Sequence, residues 1–211
     1  QLLSEHGEYN LVIKCGDEYA INQCSMGLDA EVCARQVSLK KLPFIKGEAA
    51  YTLGVLLQFF GEMKKTFEIK IDDDEEFTAD VLFCLAANSR WYGGGYFAAP
   101  ASDSNDGILD CCLIDKIPLM TFVSILGDYK AGTHLTNPKV PRVFAYKKVK
   151  KAEVVFDRPT DISVDGEIER VKGRLTISVL HNAVTLSTPK ACQPIPVAPA
   201  AAKAAARFNK I

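Results

Sequence analysis

The sequence predicts a mainly β chain, an antiparallel sandwich or barrel-like sheet decorated by two or three helices. Three observations carry that reading. From Val143 onward, short strand-like segments recur at nearly even spacing with turn residues between them, which is the pattern of an antiparallel sheet. Earlier in the chain, apolar and alternating segments meet at Gly-Asp and acidic turns. Helical spacing of apolar residues is confined to a few stretches, clearest at Gly47–Phe60.

In chain order, Glu8–Cys15 and Glu18–Ser25 read as two strands joined by a Gly16-Asp17 turn. Leu28–Leu39 follows as a short helix. Gly47–Phe60 is the stronger helix, with Ala50, Leu53, Leu57 and Phe60 on one face and Gly61 as its C-cap. Thr66–Ile71 alternates Phe67, Ile69 and Ile71 with Thr66, Glu68 and Lys70, the mark of a half-buried strand. The acidic run Asp72–Glu76 is a solvated turn into the strand Phe77–Ala87. Ile108–Ile114 is a strand, and Pro118–Leu126 is a helix with proline in its first turn. Six strands follow, at Val143–Lys150, Ala152–Phe156, Asp161–Val164, Glu167–Val171, Leu175–Leu180 and Ala183–Leu186. Past residue 190 the chain turns rich in alanine and proline, a linker or weakly helical tail over 191–211, which leaves 1–190 as the folded domain.

Composition narrows the function classes. The 211 residues carry a net charge of −1, so the overall basic footprint of a nucleic-acid binder is missing. The longest apolar stretch, Tyr51–Phe60, is shorter than the roughly 20 residues a bilayer span needs. With no charged leader and a start at Gln1 rather than methionine, the chain is expected to be a cytoplasmic fragment of a longer protein. Its seven cysteines form no C-x-x-C pair and most lie in apolar runs, so they are expected to be reduced, buried thiols. Three scattered histidines do not suit zinc; any metal is expected to be a hard cation held by oxygen.

The segment from Ala87 to Asp110 is the most informative. A strand-like run breaks into Gly93-Gly94-Gly95, passes Pro100 and turns through Asp103-Ser104-Asn105-Asp106-Gly107 into the next strand. Three successive glycines raise the entropy cost of folding, so they answer a need for special torsions or close backbone approach. Asp103, Asn105, Asp106 and nearby carbonyls read either as oxygen ligands for Mg²⁺ or Ca²⁺ or as ordinary turn formers. Val164-Asp165-Gly166-Glu167 is a second acidic corner, either a strand-joining turn or a carboxylate pair able to take a proton or meet a metal-bound phosphate. Together the two corners point to phosphoryl transfer. Ser25 or Asp29 caps the helix that begins near Leu28, while Asp29 and Glu31 are also placed to meet a polar head group.

The helical stretches Tyr51–Phe60 and Pro118–Leu126 are apolar on more than one face, which suits core packing or a greasy groove between them. Lys147, Lys148, Lys150 and Lys151 suit either an anionic membrane surface or a lysine-protected sheet edge. A glycosidase built on Asp106 and Asp165 is a poor fit, because Trp91 is the only tryptophan available as a sugar platform.

In chain order the motifs are Ser25-x-Gly27-x-Asp29-Ala30-x-Val32, Asn88 with Gly93-Gly94-Gly95, Pro100-Ala101, Asp106-Gly107-Ile108-Leu109-Asp110, Gly132-x-His134 and Val164-Asp165-Gly166-Glu167. This series resembles the C-terminal domain of the soluble diacylglycerol kinase family, which includes YegS-like lipid kinases and the ceramide and sphingosine kinases. The resemblance runs from about Glu8 to Pro189.

It implies the C-terminal part of a two-domain NAD kinase/diacylglycerol kinase-like fold. The Gly-Gly-Asp-Gly-Thr loop of the nucleotide domain does not occur in this chain. The implied reaction moves the ATP γ-phosphate to a lipid hydroxyl such as that of diacylglycerol. By the family's pattern Asp165 acts on the hydroxyl proton or through Mg²⁺, and Glu167 with Gly166 faces the nucleotide phosphates. Some members are instead assigned a base in the missing loop. Asp106, with Asp103 and Ile108, matches a structural Mg²⁺ position, and Asp29 and Glu31 fall at the lipid head group. The resemblance further implies peripheral membrane contact, and an exposed sheet edge makes a homodimer an expectation. Without the phosphate-cradling loop, the chain alone is expected to be inactive. The rival reading is a lipid- or protein-binding β module without catalysis.

Overall fold

The computed structural model describes residues 3–9, 12–39, 65–72, 75–93, 95–140, 144–180, 183–189, 198–201 and 203. The predicted helix at Gly47–Phe60, its Gly61 cap and half of the predicted greasy groove lie outside these residues.

The strands are β1 (Leu3–Tyr9), β2 (Val12–Cys15), β3 (Glu18–Ala20), β4 (Gln23–Gly27), β5 (Lys65–Ile71), β6 (Glu75–Ala87), β7 (Leu109–Asp115), β8 (Phe144–Val149), β9 (Lys151–Val164), β10 (Glu167–Leu180) and β11 (Val184–Pro189). Helix α1 spans Leu28–Leu39 and α2 spans Leu119–Ala131. β1 and β11 pair by themselves. The other nine strands form one antiparallel sheet in the order β3-β2-β10-β9-β4-β6-β7-β8, with β5 also set between β6 and β9. The fold is therefore the mainly β, barrel-like architecture that the spacing predicts.

Four predicted strands merge into two. β9 and β10 run 14 residues each and meet at Asp165-Gly166. The gap expected between Phe156 and Asp161 is a bulge: Val171 pairs with Thr160 and Gly173 with Phe156, so Asp157, Arg158 and Pro159 stand against Lys172 alone. Proline is accepted there because a bulge demands no ladder hydrogen bond of it. Conversely, the predicted strand Glu18–Ser25 splits, β3 pairing with β2 and β4 crossing to β6 and β9.

β4 and β5 lie end to end in one lane. Gly27 pairs with Phe83 of β6, and Lys65 resumes opposite Val81. The chain leaves this lane after Gly27 and re-enters it at Lys65. The exit needs glycine: φ is +86° at Gly27, and a Cβ there would stand 2.6 Å from the Leu82 carbonyl oxygen.

Both faces of the sheet are buried, which explains the nearly unbroken apolar run Val81–Ala87. Cys84, Ala86, Cys111, Leu113, Val154 and Ile162 fill the inner core. Phe83, Leu85, Cys112, Ile114, Phe144 and Tyr146 face the opposite way, against α1, α2 and the glycine segment. Ala201, from the alanine-rich tail, is buried in this second core, so part of the tail packs on the domain. α2 runs five residues past the predicted end because Tyr129 extends its buried face, and Gly132 closes it in the left-handed region at φ +74°. The described cysteines are all free thiols. Burial pushes Cys84 up to about 12, which keeps it protonated and inert.

Candidate functional site

The β9–β10 corner is anchored through Asp165. Its carboxylate accepts hydrogen bonds from the backbone N–H groups of Ile21 (2.6 Å), Asn22 (3.0 Å) and Gln23 (2.8 Å). Asp165 itself sits at φ +52°, a conformation that aspartate tolerates better than most residues. The Ile21–Gln23 turn is tied in turn to the end of β6. Asn88 N–H donates to the Asn22 carbonyl at 2.9 Å, and Ser89 Oγ donates to Asn22 Oδ1. Ser104 Oγ then donates to the Asn88 carbonyl at 2.8 Å. The acidic corner at 165 and the loop at 103–106 are thus joined along one end of the sheet, through residues 21–23 and 88–89. Glu167 is exposed just beyond the turn, paired with Val164.

β4 leads from this edge to a pocket. Gln23, Ser25 and Gly27 alternate onto the α1 side, and Ser25 Oγ donates to Asp29 Oδ2 at 2.5 Å. Asp29, in the first turn of α1, is 5% exposed. Burial pushes its carboxyl above the ordinary range, against the pull of hydrogen bonds from Ser25 and Tyr92. Around it, Leu28, Val32, Phe83, Tyr92, Tyr96, Phe122, Leu126 and Tyr129 line a narrow cleft, partly open to solvent, with a cavity volume of about 10 Å³, room for about one water. One buried carboxyl group on an aromatic and aliphatic wall has the chemistry for a hydroxyl beside hydrocarbon, and admitting such a ligand requires these side chains to move apart.

Gly93 and Gly95 shape one side of that wall. Tyr92 and Tyr96 exchange backbone hydrogen bonds of 2.9 Å in both directions. Gly93 (φ +50°) and Gly95 (φ +97°) turn the chain between them. No neighbouring atom would meet a Cβ at either glycine, so torsion is the need they answer. The tyrosines end up side by side, and the Tyr92 and Tyr129 hydroxyls lie 3.2 Å apart. Trp91 stacks on Phe97 with ring centroids 4.5 Å apart.

The loop at 103–108 is bound into the sheet by its own cation. Asp106 Oδ1 accepts the Ile108 N–H at 3.0 Å, and Oδ2 accepts Lys148 Nζ at 2.7 Å. Asp110, wholly buried, accepts the Tyr146 hydroxyl at 2.7 Å on Oδ1 and Lys148 Nζ at 3.4 Å on Oδ2. Burial pushes Asp110 up to about 6, despite Lys148 and Tyr146 favouring the charged form. Asp103 is likewise engaged, its Oδ1 by the Asn105 N–H and its carbonyl by the Asp106 N–H. Each oxygen of Asp106 and Asp110 accepts one of these donors, and the Lys148 ammonium holds the position between the two carboxylates that a Mg²⁺ ion bridging them would need. Among the described residues, no group of three or more His, Cys, Asp or Glu side chains is arranged to hold a metal.

Of the residues singled out in the sequence, Asp29 lines the pocket while Glu31 is half-exposed on α1. Asp165, Gly166 and Glu167 share the corner; Asp103, Asp106 and Ile108 share the loop it is tied to. The lysine run forms no single patch: β8 is a sheet edge, Lys148 is drawn to Asp106, and Lys151 pairs with Glu153 at 2.7 Å. Sequence reasoning missed Tyr92, Tyr96 and Tyr129 as pocket residues and Asp110 with Lys148 as a pair. Tyrosines flanking a glycine triplet were the available signal for the first group. The second depends on strand register, which the sequence does not print.

Residues 22–188 match the model of the YegS C-terminal NAD kinase beta sandwich-like domain. The chain belongs to this family. A protein of Shewanella frigidimarina described as "Probable lipid kinase YegS-like" is 26% identical over 90% of the chain and 59% of its own length. A Mycobacterium tuberculosis diacylglycerol kinase is 33% identical over 42% of the chain and 29% of its own length. A crystal structure of a Bacillus anthracis diacylglycerol kinase superposes with a TM-score of 0.58 at 14% identity, covering 89% of the chain and 56% of that protein. That last likeness is one of fold. The chain spans less than two thirds of the length of these relatives. No described helix is long and apolar enough to cross a membrane.

Proposed function

We propose that this YegS-type domain is the lipid-binding half of an ATP-dependent lipid kinase, which transfers the γ-phosphate to a hydroxyl of a diacylglycerol-like lipid. The observation that carries this reading is the buried Asp29 on the wall of the tyrosine- and leucine-lined pocket, one strand away from the Asp165 corner. In a lipid kinase, the acyl part of the substrate parts these side chains and rests on Val32, Phe122, Leu126 and the tyrosines. Asp29, held by Ser25, receives the polar head.

Asp165 acts here as a positioning residue. Its oxygens are committed to three backbone N–H groups, and taking up a substrate proton would cost those bonds. It fixes the corner so that Glu167 and the Gly166 backbone form a rim to which we assign the nucleotide phosphates and their Mg²⁺. Bound ATP supplies the phosphoryl group; this chain's residues hold the acceptor and shape the cleft. The cradle for the phosphates belongs to a nucleotide domain, so the chain alone is inactive. Peripheral membrane contact at a cytoplasmic surface follows from the substrate class, and Met120 and Val123, exposed on the pocket helix α2, are the residues we assign to it.

The test is phosphorylation of a lipid panel by the full-length protein with Mg-ATP, beside Asp29→Asn and this chain alone. Turnover of a diacylglycerol-type lipid that weakens in Asp29→Asn supports the reading. Turnover unchanged by Asp29→Asn, or robust turnover by the chain alone, overturns it.

A further inference from the structure

We propose that Lys148 is a built-in cation that takes the place of a divalent metal at the Asp106 loop, so that the loop's fold is independent of Mg²⁺.

The backbone sets this up before any side chain is considered. Asp110 on β7 stands directly opposite Lys148 on β8, and Cys112 stands opposite Tyr146. Directly opposed and diagonal neighbours in an antiparallel pair share a face, so register alone brings Asp110, Lys148 and Tyr146 together. Asp106 then reaches back from the loop. The Lys148 ammonium bridges the two carboxylates, with 2.7 Å to Asp106 and 3.4 Å to Asp110.

Each carboxylate oxygen has one donor, and the ammonium is shared by both groups. Ile108 N–H and the ammonium cover Asp106, while the Tyr146 hydroxyl and the ammonium cover Asp110. A metal would have to displace an ammonium that cannot diffuse away. The side chain is partly shielded, at 31% exposure for Lys148 and 0% for Asp110, so the attraction is screened less than at an open surface. Through Ser104 and Asn88 the same loop supports the 21–23 turn and hence the Asp165 corner. Lys148 is therefore a positioning residue for the end of the sheet that carries the candidate site. This inference rests on the strand register and the hydrogen bonds and not on the kinase reading.

Thermal unfolding of the chain decides it, in excess EDTA and in millimolar Mg²⁺. The wild type is expected to melt at the same temperature in both. Lys148→Met is expected to melt roughly 5 °C lower in EDTA and to recover part of that loss in Mg²⁺, since the freed oxygens become a cation site. Lys148→Met/Asp106→Asn is expected to show no recovery. A wild-type melting point that rises with Mg²⁺ and stops doing so in Asp106→Asn overturns the proposal, as does a Lys148→Met protein as stable in EDTA as the wild type. Should Lys148→Met fail to fold, the wild-type and Asp106→Asn comparison still decides.

Discussion

Asp165 and Gln23 bond to each other twice. The Asp165 N–H donates to the Gln23 carbonyl at 3.0 Å, and the Gln23 N–H donates to Asp165 Oδ1 at 2.8 Å. The side chain thereby binds the β9–β10 corner to the start of β4, the strand that leads to the pocket. Replacing Asp165 by Asn keeps the shape but removes the charge and puts an amide donor toward backbone N–H groups. Asp165→Asn is expected to lose about 2 kcal/mol, read as a lower urea midpoint with unchanged m. In the intact protein, activity should fall with it.

Asp29 is the buried carboxyl group among the described residues that line the pocket. Asp29→Asn is expected to change stability by less than about 1 kcal/mol, because an amide avoids the cost of burying charge and keeps a partner in Ser25. For the intact protein, KM for the lipid should rise about tenfold, equivalent to about 1.4 kcal/mol of binding. Parallel urea melts and lipid titrations separate the two effects.

Gly27 marks the point where the chain leaves its lane. Gly27→Ala combines a left-handed φ with a contact of 2.6 Å to the Leu82 carbonyl oxygen. A loss of about 3 kcal/mol is expected, checked by chemical denaturation. Gly93→Ala, with open space around it, should cost less, near the strain of its φ alone.

His134 gives the fold a defined acid response. It is 2% exposed and packs between Tyr129 and Phe144, with centroids 5.1 and 4.9 Å away. Burial pushes its pKa down from 6.5 to about 4, against the pull of the Asp128 and Ala98 backbone. The unfolded chain takes up a proton near pH 6.5 while the folded chain resists until near pH 4. Stability present above that window is therefore lost as pH falls through it, by about 3 kcal/mol at most. Urea midpoints of wild type and His134→Phe at neutral pH and at pH 4.5 should diverge, the variant losing less.

The mainly β architecture was legible because alternation and turn dipeptides are local signals, as at Thr66–Ile71 and Gly16-Asp17. Strand continuity was not. Asp157-Arg158-Pro159 looks like a break in sequence and is a bulge in one long strand, because β10 pairs on both sides of it. The shared lane of β4 and β5 was equally hidden, since nothing local says that Lys65 resumes where Gly27 stops. At the site, Asp29 and the two acidic corners stood out as polar groups among apolar runs. The Lys148–Asp110 pair did not, because it exists only through the β7–β8 register. The tyrosines were not legible because a run of glycines signals only backbone freedom, whereas the placing of Tyr92 beside Tyr96 exists only in the folded turn.

The central claim is that a lipid occupies the pocket beside Asp29. Photolabelling with a diacylglycerol that carries a photoreactive group in its acyl chain tests it most directly, with the modified residues identified by mass spectrometry. The account predicts labelling of Tyr92, Tyr96, Phe122 or Leu126, suppressed by excess unlabelled diacylglycerol. Labelling confined to other surfaces, or undiminished by that competitor, would contradict it.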